Sequence, residues 1–333
     1  IQLAPNSIKI LNEINFNKIK KEKIFHPQAL DFYSIKNEKI CNLNLTSFNS
    51  DNVRYTTLQR STLIEFLKDE IYNQHLRFGK RIKEVSELKG KILIKFDDNT
   101  NDLVDHVIGA DGIFSNTRNF FEKKKINPSF QKAVALRLIL KSKPDIKVNE
   151  QNISLFMGSN MHLVLYPINE KNEFNLTCII RNKVPNLENL KSFIKQKVLS
   201  QNPNLESLFN DKIRSWPLYS TKKILKPQNQ KIFYIGDAFN GFLPTLAQGA
   251  GQSIESAYEL YNLLKNDESI DASDIYFKKR LERVKIVRTR TNLNFFLFHL
   301  SSSLMRSIRN FFMKFLIKQK RFTNSYLGKV YKN

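Results

Sequence analysis

Apolar residues along the 333-residue chain fall into blocks of two different periods. Ile1, Ile8, Leu11 and Ile14 recur at near-helical spacing, with Pro5 and Asn6 placed to start a helix. Residues 24–55 alternate weakly and carry β-branched and aromatic side chains, the pattern of short strands joined by turns. Helical spacing returns at Leu63, Phe66, Leu67 and Ile71, where Ser61 or Thr62 is the expected N-cap. The run KILIKF, the turn DDNTND and the run LVDHVIG then predict a hairpin. Its second arm reads as one buried strand opening into the tight loop Gly-Ala-Asp-Gly.

Between residues 130 and 216 the strand-like runs AVALRLILK, ISLFMG, HLVLYPI and FNLTCIIR follow one another, interrupted only by a helix expected over 187–199. KIFYIG predicts a second buried strand, followed by a glycine-rich loop and a helix through Ser253, Ala257, Leu260 and Leu264. Helical spacing continues to the end, with no internal repeat and no low-complexity linker. The pattern is that of an α/β protein in which a sheet-rich middle separates two α/β segments.

Composition narrows the class little: 41% apolar and 26% charged residues exclude only disordered, collagen-like and disulfide-scaffold chains. Charge changes the picture more. Fifty-four Lys and Arg against 31 Asp and Glu give +23, which favours contact with nucleic acid, an anionic membrane or an acidic ligand. Lys, Ile and Asn are abundant throughout, so much of that charge is solvated surface. The exception is residues 294–333, which hold no acid and eight bases, Arg306, Arg309, Lys314, Lys318, Lys320, Arg321, Lys329 and Lys332. Leu304, Ile308, Phe311, Phe312, Phe315 and Leu316 recur among them at helical spacing, predicting one basic amphipathic helix. Such a helix either lies on an anionic membrane or packs its apolar face on the rest of the fold. No nucleic-acid module is present, so no nucleic-acid partner is expected. Two isolated cysteines, Cys41 and Cys178, offer neither a disulfide framework nor a metal cluster and fit a reducing, cytoplasmic setting.

Candidate chemistry lies in three places. A buried strand delivers Gly236 and Asp237 to its carboxyl end, where open α/β sheets bind ligands, and the Asp237 carboxylate can accept from paired hydroxyls. Gly249, Ala250 and Gly251 open the following helix, so their N–H groups and the helix dipole favour a nearby anion. VIGADGIFSNTR repeats the strand-to-acidic-loop theme with Gly109, Asp111, Gly112, Ser115 and Arg118. Arg60, in LQRSTL just before a helix, suits a bidentate grip on phosphate. Taken singly, each has a plain alternative as a turn or a solvated side chain.

In this order, the three resemble the flavoprotein aromatic hydroxylases of the para-hydroxybenzoate hydroxylase fold, most closely the salicylate-hydroxylase-like branch. GADGIFSNTR is similar to that family's GADG-x-x-S-x-x-R, GDAFNGFLPTLAQGAGQSIESA to its GDAAH-x-x-x-P-x-x-GQG segment, and QRSTL to its HR-x-x-L. HLVLYPI, Trp216, Tyr276, Arg280, Arg283 and IQLAPNSIKIL are weaker echoes, so the resemblance runs nearly the whole length.

The resemblance implies a Rossmann-like FAD-binding domain (1–23, 56–125 and 217–295) interleaved with a sheet-rich substrate domain (24–55 and 126–216), followed by the basic helix over 296–333. It also implies a cycle in which NAD(P)H reduces FAD and a flavin C4a-hydroperoxide passes one oxygen to a phenolic or other unsaturated small molecule. By the same carry-over Asp237 would bind the ribityl chain, Gly249 to Gly251 the flavin edge, Asp111 and Gly112 the phosphate and ribityl region, and Arg60 the pyrophosphate. Pro244 would mark the substrate side. Two positions depart from the family: its His in GDAAH is Asn240, and the first Gly of its GQG is Ala247. Asn cannot act as a base at neutral pH, which moves that expectation to His162 and Tyr166. The family's G-x-G-x-x-G loop would precede Ile1, so the chain is expected to lack its first βα unit and to bind FAD poorly. Two alternatives stay open: a membrane-facing hydroxylase or epoxidase of a quinone or isoprenoid, peripheral on the inner face of the membrane, and a non-catalytic remnant.

Overall fold

The β-branched and leucine-rich middle of the chain supplies most of the largest sheet, which two strands from residues 29–44 complete. The computed structural model describes residues 1–71, 75–210, 212–266 and 272–331. Its strands are β1 (Gln2–Leu3), β2 (Ile24–Phe25), β3 (Ala29–Ser34), β4 (Lys39–Asn44), β5 (Thr56–Leu58), β6 (Ile82–Leu88), β7 (Lys91–Phe96) and β8 (Asn101–Val104). There follow β9 (Val107–Gly109), β10 (Ser129–Leu140), β11 (Ile153–Gly158), β12 (Met161–Pro167), β13 (Phe174–Arg181), β14 (Arg214–Ser220) and β15 (Ile232–Tyr234). The helices used below are α1 (Pro5–Asn12), α2 (Arg60–Asp69), α3 (Asn116–Phe121), α4 (Leu190–Ile194), α5 (Asp237–Asn240), α6 (Gly249–Asn266), α7 (Ala272–Phe298) and α8 (Ser303–Leu316).

Seven strands pair in the order β14-β10-β13-β12-β11-β3-β4. Side chains alternate across the pleat, so paired residues share a face. One face, with Leu136, Leu163, Leu165, Leu176, Cys178 and Ile180, is covered by Ile194 of α4 and by Val198, Leu205 and Leu208 after it. The opposite face takes its cover from distant parts of the chain. Ala133, Ala135, Ile179 and Leu218 pack on Leu243 and Phe295, while Phe32, Leu155, Met157 and Tyr166 pack on Leu246, Val287, Phe298, Leu327 and Tyr331. Each fully buried Leu or Phe contributes about 1.5–3 kcal/mol, so this second face firmly fixes the loop 241–247 and the C-terminal tail.

The smaller sheets form the other half of the molecule. β1, β5 and β2 make one antiparallel sheet, and β6, β7 and β8 another. β9 and β15 pair in parallel, Tyr234 opposite Gly109. α1, α2 and the start of α6 share one apolar cluster through Leu3, Ile8, Leu11, Leu63, Ala250 and Ile254. A buried polar network closes the far side. Arg283 of α7 grips Glu255 of α6 with two hydrogen bonds (2.6 and 2.8 Å) and donates to the carbonyls of Lys329 and Val330, which turns the C-terminal tail back onto the body.

Several local expectations change. LVDHVIG is two strands, because Leu103 and Val104 pair in the β7–β8 hairpin while Val107–Gly109 leaves to pair with β15. α2 starts one residue before Ser61, with Gln59 at the N-cap, and ends before Ile71. The helix expected over 187–199 begins at Leu190, where the Asn189 side chain accepts from Ser192 N–H, and continues after Ile194 as a wider turn. β14 crosses the boundary expected at 216, and β2 pairs with β5 outside the large sheet. The basic C-terminal segment is not one helix: α7 ends at Phe298, α8 starts after a Ser302 cap, and a further break follows Leu316. Lys332 of that segment lies outside the described residues.

Candidate active site

The parallel pairing of β9 and β15 sets two acidic loops side by side at the carboxyl ends of adjacent strands. The first loop is held by its own acid. Asp111 accepts from Ser115 Oγ at 2.5 Å and from Thr117 N–H at 2.9 Å, which engages both carboxylate oxygens and pulls the carboxyl below its ordinary range despite partial burial. Ser115 in turn caps α3. Arg118 then ties the two loops together: buried at 4% exposure, it donates to Ala238 O (2.7 Å) and Ile113 O (3.0 Å).

The second loop contrasts with the first. Among the described residues the Asp237 carboxylate has no hydrogen-bond partner, and although water reaches it, the surrounding protein pushes it up to about 6. Gly236 before it has φ +56° and donates to Ser256 Oγ at 2.9 Å; a Cβ there would meet Ser253 Oγ at 2.7 Å, so only glycine fits. Asn240, with 1% exposure, has neither side-chain polar atom paired. An unmade buried bond costs about 1–3 kcal/mol, a cost that the surroundings of Asn240 do not offset.

α6 begins where that loop ends. Gly249, Ala250 and Gly251 lie in its first turn and their N–H groups have no intrahelical acceptor. The two glycines differ in purpose. A Cβ on Gly249 would meet nothing within 4 Å, whereas one on Gly251 would meet Ser7 Oγ at 2.7 Å. Gly251 therefore serves the close approach of α1 to α6, and Gly249 leaves open space before the helix. Ala247 adopts φ +52°, a left-handed conformation that disfavours a side chain, at the place where the related motif has glycine. Gly112, at φ +82°, stands in open space. Arg60 is exposed at the first residue of α2, and its charge acts on Arg137 and the Ile1 amino group.

Beyond the loop lies an overwhelmingly apolar cavity of about 400 Å3. Its floor is the second face of the large sheet, with Phe32, Leu155, His162 and Val164; its near wall is Pro244 to Ala247. α7 contributes Asn294 and Leu297, and the far wall is Phe312, Met313, Leu316, Tyr326 and Tyr331 of the tail. His162 is 1% exposed and its basicity lies well below the ordinary imidazole value because of burial, so the ring is neutral at pH 7. His162 and Pro244 thus share one cavity. Tyr166 does not line it: the side chain sits in the core beneath, bonded to Gln2, and burial raises its hydroxyl well above the ordinary range.

Sequence reasoning brought Asp111, Asp237 and Gly249 to neighbouring loop ends but did not find Arg118 as their tie or the tail as a cavity wall. Arg118 closes GADGIFSNTR, and its partners are main-chain carbonyls, which carry no signal in the sequence. The tail wall had its signal in Met313, Leu327 and Tyr331, apolar residues off the expected face.

α8 is apolar on two sides. Met313 faces the core, and Arg309 is buried, donating to Leu297 O at 2.9 Å rather than standing in the basic surface expected from its charge. On the outer side Leu304 is 68% and Phe311 69% exposed, with Phe315 also open. Among the described residues no helix is long and apolar enough to cross a membrane.

The family model for squalene epoxidase matches residues 105–327. The chain is 23% identical over 325 residues to the 3-amino-4-hydroxybenzoate 2-monooxygenase PtmB3 of Streptomyces platensis, covering 93% of this chain and 81% of that one. Among solved structures it is similar to HpxO of Klebsiella pneumoniae complexed with FAD and uric acid, at 16% identity and TM-score 0.84 over 99% of this chain and 87% of that one. A salicylate hydroxylase substrate complex matches at 16% identity and TM-score 0.82, over 100% of this chain and 87% of that one. The architecture, a large sheet interleaved in sequence with smaller sheets and α6 and followed by C-terminal helices, is the α/β fold of these flavoproteins.

Proposed function

The chain belongs to the squalene epoxidase family of FAD-dependent monooxygenases, and we propose that it hydroxylates an apolar phenolic molecule held between the loop 244–247 and His162. The observation that carries this reading is the unpartnered Asp237 carboxylate beside the open first turn of α6, with an apolar cavity on the other side of the same loop.

The residues fit FAD. Asp237 offers two acceptor oxygens to a polyhydroxyl chain, and the unpaired Asn240 amide offers a donor and an acceptor. The first-turn N–H groups of Gly249, Ala250 and Gly251 suit the negatively polarised edge of a flavin ring. Gly112 leaves space beside the first loop, and Arg60 carries a charge suited to a phosphate. Asp111 acts at one remove, holding that loop through Ser115 and Thr117. FAD, reduced by NAD(P)H, supplies the oxygen-transfer chemistry when bound.

The chain's own residues do the rest. Pro244 and Leu246 give the aromatic ring a flat apolar seat, and the tail excludes water. Neutral His162 accepts the hydrogen bond of the substrate hydroxyl, which draws the proton toward the imidazole and leaves the ring richer in electrons. Tyr166 supports this wall from below through Gln2, which also lines the cavity. The test is NAD(P)H oxidation by the FAD-loaded chain with a panel of alkylated phenols. Oxidation stimulated by a phenol and yielding a hydroxylated product supports the reading, and no stimulation by any of them overturns it.

A second element concerns location. The exposed face of α8, flanked by Arg306, Lys314, Lys318, Lys320 and Arg321 and by no acid, has the make-up of a peripheral contact with an anionic bilayer. It suits a lipid-soluble phenol, because the same helix walls the cavity. Flotation with phosphatidylserine vesicles tests it: binding released by moderate salt supports the contact, and no binding rejects it.

A further inference from the structure

His162 is met inside the fold by a second imidazole. His299, just past the end of α7 and 4% exposed, places Nε2 3.2 Å from His162 Nδ1, and the rings lie edge to face at 4.8 Å. His299 Nδ1 stands 2.6 Å from Phe295 O, while its Nε2 is 3.3 Å from Ile179 O. A carbonyl has no proton to give, so the short contact requires the proton on His299 Nδ1. Burial holds His299 down to about 4, so it carries only that one proton at neutral pH. A neutral ring has one N–H, and the 2.6 Å contact claims it, so the longer 3.3 Å approach of Nε2 to Ile179 O is a contact without a hydrogen bond. Nε2 is then an acceptor, and the 3.2 Å contact requires the proton of His162 to lie on Nδ1.

We infer that His299 is a positioning residue that fixes the tautomer of His162, leaving His162 Nε2 as a permanent hydrogen-bond acceptor for a substrate hydroxyl. The chain of orientation starts at Phe295 O, one of the terminal carbonyls of α7 that no helical N–H satisfies. It runs through His299 to His162 on β12, whose ring also packs on Phe298 at 5.3 Å. Helix α7 thereby sets which nitrogen of a histidine on the opposite sheet is free. A site arranged in this way takes a donor, the O–H of a phenol, in preference to an ether or a carboxylate. The ligand class rests on the reading of the cavity under Proposed function; the tautomer does not.

The experiment uses the chain labelled with 15N-histidine, with the His162 resonances assigned by difference against His162→Gln. In the unsubstituted chain at pH 7, His162 is expected protonated on Nδ1 and bare on Nε2, and His299 protonated on Nδ1. His299→Phe keeps the ring volume and removes the acceptor, and the Nδ1–H to Nε2–H ratio of His162 should fall about tenfold. His299→Gln restores an acceptor near the same place and should restore the ratio. A proton on Nε2 of His162 in the unsubstituted chain overturns the inference, as does an unchanged ratio in His299→Phe. Because the readout needs neither flavin nor turnover, it can fail while the monooxygenase reading stands, or hold while that reading falls.

Discussion

The two sides of the loop 236–248 are built on opposite plans. On the β9–β15 side the working groups are backbone N–H groups, glycines at positive φ and one carboxylate left without a partner, while the supporting groups, Asp111, Ser115 and Arg118, are each held by protein partners. On the cavity side nearly everything is apolar side chain, gathered from distant segments of the chain, and His162, backed by His299, brings a neutral imidazole to the wall. The first side prepares for a fixed, charged group and spends sequence on glycine and aspartate at set spacings. The second prepares for a ring whose shape is met by packing, so its residues are interchangeable in kind and scattered in position.

That contrast can be broken most forcefully at His162. His162→Gln should lower turnover by about 10²–10⁴-fold, the usual range for a proton-handling group, with flavin affinity unchanged in a fluorescence titration. An equal loss of flavin binding would mean that the two sides are not separable. Asp237→Asn is the reciprocal change. Flavin affinity should fall by about tenfold, in line with the loss of one charge-assisted hydrogen bond, while vesicle binding through α8 is unaffected.

The pH dependence of flavin binding sharpens the same point. Asp237 is raised to about 6 by its surroundings, so without a ligand its charged form is disfavoured in the fold. A polyhydroxyl ligand bonds the charged form, so affinity should be full above pH 6 and weaken as pH falls through it; Asp237→Asn should flatten the profile. For the unliganded chain the sign reverses. The raised carboxyl lowers stability above pH 6, and the penalty fades as the pH falls toward the ordinary aspartate value, so Asp237→Asn should raise the melting temperature at pH 8. Smallest is Ala247→Gly. Relief of the left-handed Ala247, set against the extra freedom glycine has when unfolded, should stabilise the chain by up to about 1 kcal/mol in urea unfolding.

The same division explains what the sequence made legible. Gly236, Asp237 and Gly249 were readable because a tight turn, a free carboxylate and an open helix start each demand one residue type at one place. The strands of the large sheet were readable from alternation. LVDHVIG reads as one strand because apolar pairs stand on both sides of Asp105 and His106, and nothing in the spacing shows that those two polar residues divide it between two sheets. The tail was misjudged for a different reason. Its fold depends on Arg283 donating to two main-chain carbonyls, and a backbone acceptor has no side-chain signature. Arg309 looked like surface charge because nothing in the local spacing shows that it satisfies the end of α7. His299 had no partner in the sequence, since His162 is brought to it only by the packing of β12 on α7.

The central claim is that oxygen is delivered to a phenol held against His162 on the far side of this loop. Supplying 18O2 to the FAD-loaded chain with NAD(P)H and alkylated phenols tests it most directly. The expected result is one 18O atom in each hydroxylated product, with NAD(P)H oxidation rising on addition of the phenol and falling away in His162→Gln. Oxidation that ignores every phenol and leaves no label in any of them would contradict it.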